Sequence, residues 1–276
     1  MRCDSKGFLR DLAFEHLVAE AESRTFEGWD FAYLRGRLVE TSTPWDYQRI
    51  VAGLIPAAAS MVDIGTGGGE LLASLRPLPL LTLATEGYHP NVSVAKRRLQ
   101  PLGVEVVEVL CDDNKAIPQR GALPFRDSSV DLVIDRHESF IASEVFRILR
   151  PLGLFVTQQV GESNYPELNI ALGVRAQPAS ESWNLREAVR QIESAGLMVI
   201  DSREAKLEAS FSDVGAVVYY LKAIPWQVPG FTTETYRERL KELDKKIRKN
   251  GPFKVTSRRF LVQAQKPSIR PEGPHR

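Results

Sequence analysis

The sequence predicts an α/β protein built on an open, mostly parallel sheet, and three observations carry that expectation. A short apolar run at residues 61–64, broken only by Asp63, ends in a glycine cluster: Gly65, Gly67, Gly68 and Gly69. Further apolar runs of strand length follow at 80–85, 104–110, 131–135 and 154–160. Stretches with helical apolar spacing lie among them, such as 90–99, which has proline in its first turn. Buried parallel strands read as near-continuous apolar runs, and β-α-β steps space them in this way.

The first strand and its glycine turn are the most informative segment. Glycine at this density lets the backbone take positive φ and lets a ligand lie against main chain without meeting a Cβ. A helix opening near Glu70 aims free N–H groups at the same space. A dinucleotide fingerprint, G-x-G-x-x-G, needs its third glycine where Glu70 stands, so that reading fails. The pattern present is D-x-G-x-G-x-G, from Asp63 to Gly69. The second run ends at Glu86, 23 residues after Asp63 and about one β-α-β step away. A carboxylate at that strand tip can accept hydrogen bonds from both hydroxyls of a ribose.

Two later segments complete the pattern: LPFRDSSVDLVIDRHESF from Leu123 and EVFRILRPLGLFVTQQV from Glu144. In this order, across residues 60–160, the motifs resemble the class I S-adenosylmethionine (SAM) dependent methyltransferases, in the subfamily called type 11. The resemblance implies a Rossmann-like sheet of order 3-2-1-4-5-7-6, with strand 7 antiparallel, and SAM as cofactor. It implies cofactor contacts from Asp63, Gly65, Thr66, Gly67 and Gly69, from Glu86 and Gly87 at the ribose, and from Asp135 and Arg136 after the fourth strand. For the adenine it points to Asp112 or Asp113 after the third strand. There the sequence departs from the family, because Leu123-Pro124-Phe125 follows Asp113 by ten residues where about five are usual. Gln119, Arg120 or backbone of that longer loop are alternative adenine contacts.

Methyl transfer from a sulfonium is an in-line displacement, so such an enzyme mainly aligns the partners, excludes water and in some cases removes a proton. His137, at the tip of strand four, is the candidate base, and Glu138 the candidate to orient it or to bind a polar substrate. A histidine after a strand can equally do no more than bond to backbone. No metal is implied.

Composition bounds the partners. The net charge of +1 argues against nucleic acid, whose phosphates call for a basic excess. The basic stretch YRERLKELDKKIRKN alternates in sign at near-helical spacing, as a solvated helix face does. The leading reading is therefore a methyltransferase for a small or medium-sized organic acceptor. An RNA methyltransferase and a non-catalytic SAM-binding module are the alternatives. Cys3 and Cys111 give no disulfide framework, which suits a reducing cytoplasm. No apolar run approaches the roughly 18 residues of a membrane span, and the chain is expected as a monomer or homodimer.

Residues 1–48 read as a helical N-terminal cap segment, with Phe8, Leu9, Leu12, Leu17 and Val18 on one side. Residues 49–266 form the SAM-binding domain and 267–276 a disordered tail. Strands six and seven are expected at 197–201 and 259–264, joined by a long helical insert at 213–250. An antiparallel last strand puts this insert on the ligand side of the sheet. Cap aromatics serve mostly as packing; Trp29, Tyr33, Trp45 and Trp226 are the candidates to line the acceptor pocket.

Overall fold

The computed structural model describes residues 5–26, 29–109, 122–161, 164–174 and 183–268. Among these, eight strands form one sheet: β1 (Leu38–Glu40), β2 (Ser60–Ile64), β3 (Leu81–Glu86), β4 (Glu105–Glu108), β5 (Val130–Arg136), β6 (Leu149–Val160), β7 (Met198–Phe211) and β8 (Phe253–Gln265). Their order is β4-β3-β2-β5-β6-β8-β7-β1. Neighbours from β4 to β6 are parallel, and β8 runs antiparallel to both β6 and β7. The expected seven-strand order lies inside this sheet. The addition is β1, antiparallel to the end of β7 with Leu38 opposite Phe211. It falls in the segment read as helical. Three residues are too short to show a strand period, and the partner is far away in sequence.

Side-chain alternation along each strand builds two cores. On β5, Leu132 and Ile134 pack with Val51, Leu72 and Leu99 of the helices α2 (Tyr47–Leu54), α3 (Glu70–Ser74) and α4 (His89–Leu99). Val133 faces the other way, onto Val145, Ile148 and Ile192 of α5 (Ala142–Ile148) and α7 (Leu185–Ser194). Each such buried aliphatic side chain contributes about 1.5–3 kcal/mol. Short polar side chains start several helices: Asp46 accepts from Arg49 N at 3.0 Å and Asn184 from Glu187 N at 3.0 Å.

A third core holds the cap. Strand β6 pairs with β8 only as far as Arg259, whereas β7 and β8 continue together from Lys206–Arg258 to Phe211–Phe253. This ribbon overhangs the carboxyl ends of the parallel strands. It carries Ala209, Phe211 and Val255 into a cluster with α1 (Ser5–Ser23), α6 (Pro166–Leu172), α8 (Val214–Ala223) and α9 (Arg237–Asn250). Strands six and seven are thus much longer than their apolar cores, 198–211 and 253–265, because polar residues face solvent along the overhang. Helix α8, apolar all round, is buried on every side except at Lys222. The Lys222 ammonium donates to the carbonyls of Ala21 (3.0 Å) and Arg24 (3.2 Å) at the end of α1, where a cation complements the helix terminus. The buried stripe of α1 is Phe14, Val18 and Ala21, with Leu17 half-buried. Leu12 lies outside it, because docking onto α8 selects positions four and three apart instead. No helix of the described residues is long and apolar enough to cross a membrane.

Candidate active site

The candidate site lies at the carboxyl ends of β2, β3, β5 and β6. After β2 the chain turns through Gly65, Gly67 and Gly69 at φ of 64°, 61° and 80°, a region L side chains rarely enter. The turn is pinned by Thr66 N donating to Thr85 O (2.9 Å) and Gly69 N to Thr66 O (2.9 Å). The glycines do different work. At Gly69 an added Cβ would meet Leu99 Cγ at 2.8 Å, so this glycine lets the turn close onto α4. At Gly67 it would meet the Cβ of Trp29 at 3.2 Å, and at Gly65 the side chain of Glu138.

Four carboxylates surround this turn. Asp63 is buried on β2, which pushes its pKa up to about 7; Thr66 lowers it, the charge of Glu86 raises it and Arg136 lowers it. Glu86, buried at the tip of β3, is likewise pushed up to about 7 by burial. Its Oε1 accepts from Tyr88 N at 2.7 Å, and the amides of Gly67 and Gly87 also favour its charged form. Asp135 has no exposed surface, and burial followed by the charge of Glu138 raises it well above the usual carboxylate range. Its Oδ1 accepts from Glu138 N (3.2 Å) and Gln159 Nε2 (3.1 Å). Its Oδ2 is buried with no partner among the described residues. Glu138 is raised by burial as well, and its Oε1 accepts from Ser139 N at 2.9 Å.

Arg136 ends β5 with its side chain exposed, yet the surrounding protein lowers its pKa, as in a cleft whose walls keep much of the solvent away. His137 follows at φ 68°, its backbone N donating to Gln158 O at 2.8 Å. Burial, then Arg136 and Arg259, hold its pKa well below the usual value. Arg259 is itself paired with Glu40 at 3.0 Å.

The four aromatic candidates separate. Trp29 lies against the glycine turn and stacks on Trp226, at 6.2 Å between ring centroids. Trp45 is buried, its indole donating to Gln158 Oε1 at 2.8 Å. Tyr33 packs on Tyr219 at 4.6 Å, with Arg37 4.3 Å from its ring, inside the cap. Asp112, Asp113 and their alternatives Gln119 and Arg120 lie outside the described residues. Three residues that sequence reasoning passed over hold the site together. Tyr47 donates to Asp135 O at 3.0 Å, while Gln158 and Gln159 tie β6 to the His137–Glu138 turn. The available signal was two adjacent amides closing the otherwise apolar run 154–160.

The residues fit a cationic, hydroxyl-bearing ligand. Buried carboxylates raised towards neutrality by burial and by one another are stabilised by a ligand cation. Glycines at Gly65 and Gly67 keep side chains off the turn, and Asp135 Oδ2 is a buried polar atom with no partner among the described residues.

Residues 62–157 match the sequence profile of a family described as "Methyltransferase domain". No curated protein matches by sequence. Among solved structures, YcgJ of Bacillus subtilis is 17% identical, with a TM-score of 0.52 over 80% of this chain and 98% of its own. A Bacillus halodurans protein described as a candidate methyltransferase is 17% identical, with a TM-score of 0.51 over 79% of this chain and 98% of its own. A Deinococcus radiodurans protein of unknown function is 13% identical, with a TM-score of 0.51 over 86% of this chain and 100% of its own. At these identities the likeness is one of fold. With the profile match, it means that residues 62–157 carry a methyltransferase domain on a Rossmann-like sheet.

Proposed function

We propose that the protein transfers the methyl group of SAM to a small or medium-sized organic acceptor. The observation that carries this reading is the buried Glu86 carboxylate at the tip of β3, bonded to Tyr88 N beside the glycine turn. Its two oxygens suit paired ribose hydroxyls. Asp63, Gly65, Thr66 and Gly67 would hold the amino-acid end, with Asp135 and Arg136 beside it and Gly87 next to the ribose. Gly69 would act through the shape of the turn. Bound SAM supplies an electrophilic methyl on a sulfonium; the chain's part is to hold it in line with the acceptor and to keep water out. Residues 1–48 and 213–250 would form the cap over a domain spanning 49–266, with Trp29 and Trp226 towards the acceptor.

RNA as acceptor has less support. The whole chain carries a net charge of only +1, and on the basic helix α9 Arg248 pairs with Asp244 (2.6 Å), Arg239 with Glu242 (3.4 Å) and Lys241 with Glu238 (3.4 Å), as on a solvated helix face. Calorimetry with SAM, S-adenosylhomocysteine and NAD side by side tests the cofactor, and methyl-labelling of extracts finds the acceptor. Binding of NAD in place of SAM would overturn the reading.

A further inference from the structure

Trp45, Gln158 and His137 form a hydrogen-bond chain with only one possible direction. An indole Nε1–H can only donate, and that of Trp45 lies 2.8 Å from the Gln158 amide. The amide oxygen must therefore face the indole, which turns the NH2 group towards His137 Nε2, 3.2 Å away. An NH2 group only donates, so Nε2 must accept and can carry no proton. The proton of the neutral ring then sits on Nδ1.

We propose that the Trp45–Gln158 pair fixes His137 as the neutral Nδ1–H tautomer, so that His137 offers the acceptor site a hydrogen-bond donor and not a general base. The word "acceptor" rests on the methyltransferase reading; the tautomer does not. Gln158 is a positioning residue that grips His137 twice. Its side chain engages the ring, and its carbonyl accepts the His137 backbone N–H at 2.8 Å, which holds the backbone at φ 68°. Trp45 and Gln158 are both buried, so neither partner exchanges its bond for water. The surrounding charges agree with a ring that stays neutral. Arg136 of β5 and Arg259 of β8 both act against a second proton on the ring. The neighbouring carboxylate, Glu138, turns away to Gly65 and Ser139 N. His137 itself then takes no proton from an acceptor, because the nitrogen that could remove one is bonded to Gln158.

Long-range ¹H–¹⁵N correlation on the whole protein labelled at histidine, with His137→Gln for assignment, reads the tautomer directly. We expect protonated Nδ1 and unprotonated Nε2, with no titration as pH falls to 6. Gln158→Glu puts an anionic acceptor against Nε2, and the ring should then take up a proton with its pKa raised by about one unit or more. Trp45→Phe frees the amide to turn over and should populate both tautomers; it serves if Gln158→Glu does not fold. An Nε2–H ring in the wild type, a wild-type titration near pH 6.5, or an unmoved ring in both variants overturns the proposal. None of these readouts depends on SAM, so failure of the methyltransferase reading would show separately, as loss of SAM binding in calorimetry.

Discussion

Trp29 and Trp226 stack in an offset, near-parallel arrangement, with ring planes 14° apart and centroids 6.2 Å apart, and so join the N-terminal segment to the connection between β7 and β8 beside Gly67. Phe26 extends the contact edge-on from Trp29 (5.7 Å) to Tyr219 of α8 (6.3 Å). Both indoles stay open to solvent, Trp29 at 38% and Trp226 at 63% exposed, whereas the cap's other described aromatics are buried or half-buried. A pair of exposed aromatic faces next to a ligand-binding turn is suited to covering a flat or apolar molecule. Gly67 leaves room for that arrangement, since a Cβ there would press on Trp29 Cβ at 3.2 Å.

Replacing Glu86 by alanine should weaken SAM binding by about 1.5–3 kcal/mol, the range for loss of a charged acceptor of hydroxyl bonds. The fold should survive, because the residue's own burial disfavours its charge. Calorimetry on a variant shown to be folded by circular dichroism measures this, and unchanged affinity would reduce Glu86 to an ordinary loop acid.

The ligand-free protein should lose stability as pH rises from about 4 to about 7. Asp63 and Glu86 have folded-state pKa values raised to about 7, above their unfolded values of 3.8 and 4.5. The folded state therefore binds more protons than the unfolded one in that window, and its advantage disappears as they ionise. Above about pH 8 the curve should flatten. A cationic ligand favours the ionised carboxylates, so SAM affinity should rise through the same window. Thermal melts at several pH values, with and without SAM, check both slopes; a Tm that climbs from pH 5 to 7 without ligand would contradict the buried-carboxylate picture.

Two glycines should fail differently. Gly69→Ala meets Leu99 Cγ at 2.8 Å and keeps φ near 80°, so it should cost stability, on the order of 1–3 kcal/mol. Gly67→Val puts a β-branched side chain at φ 61° and 3.2 Å from Trp29 Cβ, so it should cost SAM affinity as well as stability. Denaturant melts and calorimetry on both variants separate the effects. Unchanged SAM affinity in a folded Gly67→Val would mean that both glycines serve the fold alone.

Much of the sheet was legible because its signals are local. The runs that became β2, β3 and β5 are apolar and short, and each ends in a residue whose chemistry marks the tip: Gly65, Glu86 and Arg136. What was not legible depends on distant partners. Strand β1 exists only because the end of β7 offers it an edge, and the overhang of β7 and β8 is polar enough to read as loop. Gln158 lies inside the run 154–160 with nothing local to mark its role, which follows from Trp45, 113 positions away. Tyr33, one of the aromatics the sequence offers for the acceptor pocket, packs on Tyr219 with Arg37 over its ring.

The last prediction concerns the insert. Helix α8 is held by an apolar shell, while the stretch after it, from Ile224 to Tyr236, is irregular and carries Trp226 out to Trp29. If this stretch closes the site, S-adenosylhomocysteine should slow hydrogen exchange across 224–236, and the true acceptor should slow it further; α8 should be protected throughout. Trp226→Ala should abolish the ligand-dependent slowing there and loosen residues 29–34, since the stack is their shared contact. It should leave the protection of the 65–69 turn by S-adenosylhomocysteine in place. Exchange across 224–236 that ignores ligand while the glycine turn is protected would remove the insert from the site. The acceptor would then have to bind closer to His137, on the far side of the turn from Trp29.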